Sequence, residues 1–184
     1  MKRRNIPLIA MTLVASLLTG CGDDTPRTPE QAAKKVLKEA ARPVIDTPAP
    51  AFSLEQLDGG MFDSPALAGK ATLLNFWAPW CPPCVQELPE LARLHESIKG
   101  KGGQVIGIAM ARPEDVRAFV ADHPLPYPLL LGGRTGADLA RQMGNAHGGL
   151  PYSVVIDAEG VIRAAHAGRL TEAQAMAMLD KALK

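Results

Sequence analysis

Cys81 and Cys84 stand three positions apart, with Pro82 and Pro83 between them. Sulfurs at that spacing reach each other only where the chain turns tightly, as where a strand runs into a helix. There the first sulfur sits at the positive helix end and the second one turn inside. This is the geometry of a reversible dithiol/disulfide couple. Only a thiolate attacks a disulfide, and a helix N-terminus lowers a thiol pKa. Cys81, at the helix start and the more exposed position, is therefore the expected attacking sulfur, with Cys84 resolving the mixed disulfide. Two prolines suit a first helical turn, where their missing N–H groups need no intrahelical partner. They also remove two donors that would solvate the Cys81 thiolate. A less depressed pKa makes a poorer leaving thiol and a more reducing couple, which tilts the pair toward reduction.

Other uses of a CxxC pair stay open on these residues alone. Half of a zinc site would come with a second CxxC or a histidine pair at ligand spacing, whereas the histidines at 95, 123, 147 and 166 are scattered. A plain structural disulfide would sit oddly among the prolines and tryptophans of residues 76–84. Copper handling by Cys81, Cys84 and a histidine, with His147 or His166 the nearest candidates, is the main alternative, because soft thiolates favour cuprous ion.

The elements that must hold the pair can be read around it. Residues 71–77 are almost continuously apolar and bounded by turn residues, which suits a central strand buried on both faces. Residues 82–99 follow a helical period, with Val85, Leu88, Leu91, Ala92, His95 and Ile98 on or near one face, and Pro89 inside as a kink. Upstream, Asp58-Gly59-Gly60 predicts a small hairpin. Downstream, strands are expected at 104–110, 127–131, 152–157 and 161–166, and helices at 113–122, 135–143 and 171–183. The last of these helices has Thr171 as N-cap. The result is an α/β domain, a mixed sheet with helices on both faces.

Length and charge bound the rest. The chain has 184 residues and a formal charge of +1, a one-domain size with no basic field for nucleic acid. Its three cysteines, Cys21, Cys81 and Cys84, are too few for a stapled secreted fold, so CxxC is free for chemistry. Lys2, Arg3 and Arg4 precede an apolar stretch over residues 6–18, shorter than the roughly 20 residues of a spanning helix. Leu18-Thr19-Gly20-Cys21 then resembles the bacterial lipobox, which implies a signal peptide over 1–20 and lipidation at Cys21. Several acyl chains together anchor firmly. Residues 21–50 contain Pro26, Pro29, Pro43, Pro48 and Pro50 and read as a tether, with a short solvated helix possible over 30–42. The globular domain is expected over 51–184. Either as lipoprotein or as secreted chain, the cysteines would work outside the cytoplasm.

Phe76-Trp77-Ala78-Pro79-Trp80-Cys81-Pro82-Pro83-Cys84 resembles the active-site strand and loop of the thioredoxin superfamily. Pro89 matches that family's helix proline, and Gly149-Leu150-Pro151-Tyr152 resembles its cis-proline loop. Glu87-Leu88-Pro89, the leader over 52–61 and the hairpin over 154–160 make the chain similar to the TlpA/ResA/DsbE-type extracytoplasmic thioredoxins. The match covers about residues 51–184. The resemblance implies a thioredoxin-like fold, substrate contacts at Leu150 and Pro151, and a membrane thiol-transfer protein as electron donor. It requires no cofactor and no metal. Such a loop presents backbone groups to an extended substrate segment.

Asn75 departs from ordinary thioredoxin, which has a buried aspartate at the matching place. Asn cannot titrate, and Glu87, one turn after Cys84, is the candidate to replace it; in the ResA-like branch a glutamate at the matching position influences the cysteines. If buried, its pKa rises and it can exchange protons with the couple. Trp80, bordering Cys81, is a candidate substrate contact, whereas Trp77 reads as packing. His147 reads as a solvated loop histidine near the cleft, and Phe119, Met176 and Met178 as core or helix surface. The leading expectation is a membrane-anchored periplasmic thiol-disulfide oxidoreductase that reduces disulfides in exported proteins. The alternative is a copper-binding chaperone or assembly factor on the same fold. A peroxidase is disfavoured, because Ala78-Pro79-Trp80 precede Cys81 where a peroxidatic loop has Thr/Ser-x-x.

Overall fold

The computed structural model describes residues 44–183. Cys21, the signal segment and the tether up to residue 43 lie outside the described residues. Seven strands form one sheet: β1 Ser53–Gln56, β2 Met61–Asp63, β3 Ala71–Trp77, β4 Gly103–Ala109, β5 Leu129–Leu131, β6 Tyr152–Ile156 and β7 Ile162–Ala167. Four α-helices flank it: α1 Pro82–Ile98, α2 Pro113–Asp122, α3 Gly133–Gln142 and α4 Glu172–Leu179. The order across the sheet is β2-β1-β5-β4-β3-β6-β7. Strands β3, β4 and β5 run parallel, while β6, β7, β1 and β2 add antiparallel partners at the two sides. This is the mixed sheet that the alternating pattern predicts.

Every residue of β3 is buried, which is what its unbroken apolar run requires of a strand covered on both faces. Alternate residues serve opposite faces. Leu73 and Trp77 pack with Leu88, Leu91 and Leu94 of α1 and Leu179 of α4. Leu74 and Phe76 pack on the other side with Leu139, Ala140 and Met143 from α3 and its C-terminal end. Asn75, between Leu74 and Phe76, falls on the α1 side among apolar neighbours. The α1 face is wider than the expected one: Leu94 and Glu87 are also fully buried. Pro89 sits exposed within α1, and the helix continues through it.

Composition places residues 44–50 in the tether, and the structure corrects that boundary. Asp46 N–H donates to the Ile162 carbonyl at 2.7 Å, Ile162 N–H to the Thr47 carbonyl at 2.9 Å, and Ala49 N–H to the Gly160 carbonyl at 2.8 Å. Arg163 adds an ion pair to Asp46 at 2.8 Å. Prolines mark this stretch as non-helical, but not as unpaired; its partners lie over 110 residues away, where no local pattern reveals them. At the other end, α4 stops at Leu179 rather than running to 183. Its N-cap is Thr171, in a capping box in which Gln174 N–H donates to Thr171 Oγ1 at 3.3 Å and Thr171 N–H to Gln174 Oε1 at 2.9 Å. Among the described residues, no helix is long and apolar enough to cross a membrane.

Candidate functional site

Strand β3 delivers the chain to the site. After Trp77, whose carbonyl accepts from Met110 N–H at 2.7 Å, Ala78-Pro79-Trp80 turn the backbone into α1. Cys81 is the N-cap of that helix in extended conformation, and its Sγ accepts from Cys84 N–H at 3.3 Å. Pro82 and Pro83 fill the first helical turn and donate nothing. The two sulfurs are joined as a disulfide across a Cα–Cα distance of 5.3 Å. Cys81 is 4% exposed and Cys84 fully buried, so the first sulfur is the one at the surface, by a narrow margin. Trp80 beside it is 68% exposed.

Glu87 is fully buried one turn into α1. Its Oε1 accepts from Asn75 Nδ2 at 2.6 Å, and its Oε2 from Leu170 N–H at 2.8 Å. Asn75 Nδ2 donates also to Ser153 Oγ at 3.1 Å, the residue directly opposite on β6. Burial pushes the Glu87 pKa up, to about 7, because the ionised form loses its water. The Leu170 N–H, Asn75 and the nearby Arg169 guanidinium oppose this and keep the rise from being larger. The outcome is a carboxyl poised to gain or lose a proton at neutral pH. The Tyr127 phenol, also buried, is raised by desolvation and by the charge of Glu87. Asn75 Oδ1 has no partner while the carboxamide faces Glu87 with its nitrogen. Turned over, the same carboxamide would present an acceptor to a protonated Glu87 and to the Ser153 hydroxyl. Either protonation state of Glu87 can thus be met.

Two of the three substrate-binding candidates, Trp80 and Leu150, line one groove. The Leu150–Pro151 peptide is cis, Pro151 is buried, and Leu150 packs against the cluster that contains both cysteines. A groove of about 220 Å³ runs past Trp80, Met110, Ala137, Ala140, Asn145 and Leu150. It adjoins a wider one of about 560 Å³ that shares Trp80 and Met110 and reaches Arg112. Asn145 braces the loop by donating to the Gly149 carbonyl at 2.9 Å. His147 is exposed on that loop. His166 lies on β7 opposite Ser153, and His95 accepts from Val105 N–H at 3.2 Å, with burial holding its pKa down. Among the described residues, no three His, Cys, Asp or Glu side chains cluster to hold a metal.

Sequence reasoning missed Ser153 and Leu170. Ser153 had a signal, a lone hydroxyl in the apolar run of β6. Leu170 had none, because it acts through its backbone.

Residues 45–165 match the model of a family described as the AhpC/TSA family. A thiol-disulfide oxidoreductase ResA from Halalkalibacterium halodurans is 33% identical over 124 residues, covering 66% of this chain and 67% of that protein. The thioredoxin-like protein YneN from Bacillus subtilis is 33% identical over 135 residues, covering 72% of this chain and 76% of that one. A solved thiol:disulfide interchange protein of the thioredoxin family from Chlorobium tepidum superposes with a TM-score of 0.66 at 30% identity. It covers 78% of this chain and 100% of its own.

Proposed function

The chain belongs to the AhpC/TSA family and is a thiol-disulfide oxidoreductase on the thioredoxin fold, and from that premise we propose that it reduces disulfides in exported proteins. The observation that carries this reading is the Cys81–Cys84 disulfide at the start of α1 with the buried carboxyl of Glu87 one turn beyond. In the reduced enzyme the Cys81 thiolate attacks a substrate disulfide. One S–S bond breaks as another forms, and the departing substrate sulfur takes a proton. The Cys84 thiol passes its proton to ionised Glu87 and attacks Cys81, releasing the second substrate thiol. Two electrons have then left the enzyme, which is oxidised to the disulfide. A membrane dithiol protein returns them by the same exchange in reverse. Trp80, Leu150 and Pro151 hold the substrate segment in the groove beside Cys81.

Pro82 and Pro83 support the reducing direction because they donate nothing to Cys81 Sγ, which the Cys84 N–H alone of the first helical turn faces. The basic, apolar and lipobox segments up to Cys21 support a chain that is lipid-anchored at the cell envelope and faces the periplasm, with residues 22–43 as its tether. Copper handling on the same fold is the second reading, resting on the paired thiols. Its histidine candidates differ in placement, His147 on an exposed loop and His166 on β7.

A Cys84→Ala variant tests the mechanism: it should accumulate mixed disulfides with substrate proteins through Cys81, and none should form when Cys81 is also replaced. Equilibration with glutathione tests direction, and a couple more oxidising than the envelope thiol pool overturns the reductase reading. Titration of reduced protein with cuprous ion against a strong chelator tests the copper reading. A Cys21→Ser variant that stays in the membrane fraction would remove the lipid anchor.

A further inference from the structure

The loop between β7 and α4 makes three successive attachments, each to a part of the site. Gly168 N–H donates to the Pro151 carbonyl at 2.9 Å. Arg169 Nη1 donates to Gln86 Oε1 at 3.3 Å. Leu170 N–H donates to Glu87 Oε2 at 2.8 Å, and its side chain is buried in the core cluster that contains both cysteines. The lacing continues up α1, with Glu172 N–H on Glu90 Oε2 at 3.1 Å and Arg93 on Glu172 at 2.9 Å. We infer that residues 168–170 form a positioning clasp that ties the substrate-contacting Leu150–Pro151 loop to the proton-accepting carboxyl of Glu87. This rests on the reading above in which Glu87 takes the Cys84 proton.

The physical case is direct. A backbone N–H aimed at a carboxylate favours the ionised form, and only that form can accept a proton. Asn75 supplies the other hydrogen bond from rigid β3, so Leu170 is the donor that depends on loop placement. Gly168 is the hinge of that placement. Its φ of +101° is one that side-chain-bearing residues rarely adopt, although a Cβ there would meet nothing closer than His166 Nε2 at 4.0 Å. A displacement of Pro151 therefore moves Gly168 and, two residues on, the N–H that faces Glu87. The other ionisable groups around Glu87 are Cys84 one turn before it, Glu90 one turn after, the Tyr127 phenol and the Arg169 guanidinium. His166 stands opposite Ser153, beyond Asn75. None of these changes in the two clasp variants below.

The test follows the Glu87 titration by carboxyl carbon NMR and the pH dependence of disulfide resolution by stopped flow. Leu170→Pro deletes the donor, and Gly168→Ala disturbs the clasp from its Pro151 end. Both should raise the Glu87 midpoint, Leu170→Pro by roughly one pH unit, a tenfold loss of ionised carboxylate on the acid side. Resolution should slow about tenfold there and recover at higher pH, which a merely structural lesion would not do. Where Leu170→Pro fails to fold, a backbone ester at residue 170 removes the same N–H and keeps the side chain. Folded variants whose Glu87 midpoint matches the parent overturn the clasp. A Glu87→Gln variant separates the two readings: if it leaves the pH–rate profile of the parent unchanged, the proton role fails. The NMR midpoints of the clasp variants still decide the clasp.

Discussion

Burial of Glu87 must make the stability of the folded chain depend on pH, and the sign follows from the direction of the shift. Below its unfolded value of 4.5 the carboxyl is protonated in both states, and its contribution is fully present. Between 4.5 and about 7 the unfolded chain releases the proton while the folded one keeps it. Stability therefore falls with rising pH across that window and levels off above it. Over roughly 2.5 pH units, at about 1.36 kcal/mol each, the loss is ~3 kcal/mol. Glu87→Gln is the clean reference, since Gln carries no proton to lose. Its amide can be accommodated by turning Asn75 over, which offers the unpartnered Oδ1 as acceptor. Urea unfolding of the disulfide-bonded protein, wild type and variant, should be measured from pH 4 to 8. The stability of the wild type minus that of the variant should drop by ~3 kcal/mol over that range. Taking the difference removes the other titrating groups, including His95, whose depressed pKa acts with the opposite sign. A difference that stays flat with pH would refute the account of Glu87 as a desolvated carboxyl that titrates near neutrality.

Trp80→Ala should leave unfolding free energy within about 0.5 kcal/mol, because the ring is 68% exposed. It should raise KM for protein disulfides while small disulfides are reduced at the parental rate, which steady-state kinetics checks. Thr171→Ala breaks the capping box of α4 and should cost about 1 kcal/mol, seen as a Tm lower by a few degrees. Asp157, buried in the β6–β7 turn, accepts from Val161 N–H at 2.8 Å and Glu159 N–H at 3.1 Å and pairs with Arg163. Burial acts to raise its pKa, but these donors outweigh it and hold it below the usual carboxylate range, so its stabilisation is lost as pH falls through that lowered value. Asp157→Asn should lower stability at neutral pH by about 2 kcal/mol and flatten the acid limb of the unfolding profile.

Local rules carried far in this chain. An unbroken apolar run makes β3, a helical period broken only by an external proline makes α1, and Thr171 with Gln174 starts α4. The cysteine spacing at the strand–helix junction defines the disulfide-forming pair, because joining the two sulfurs needs only a tight turn and a helix end, both of which are local. The limits of locality show at residues 44–50, where proline content suggests a tether and hydrogen bonds to residues 160–162 make them part of the domain.

The state of Glu87 is the clearest division. The sequence places a carboxyl one turn after Cys84, and helix geometry alone determines that. Whether water reaches it depends on β3, β6 and the β7–α4 loop closing around it, contacts that span 12 residues to Asn75 and 83 to Leu170. Only the tertiary structure decided that it is dry, and dryness turns an ordinary carboxylate into a group that titrates near neutral pH. The groove past Trp80 and Leu150 likewise exists only because α3 and the 145–150 loop come up beside the turn that carries Trp80. The chain itself specified which two sulfurs join at the start of α1. The surroundings, set by distant residues excluding water, specified the burial of Glu87 and the groove beside Trp80.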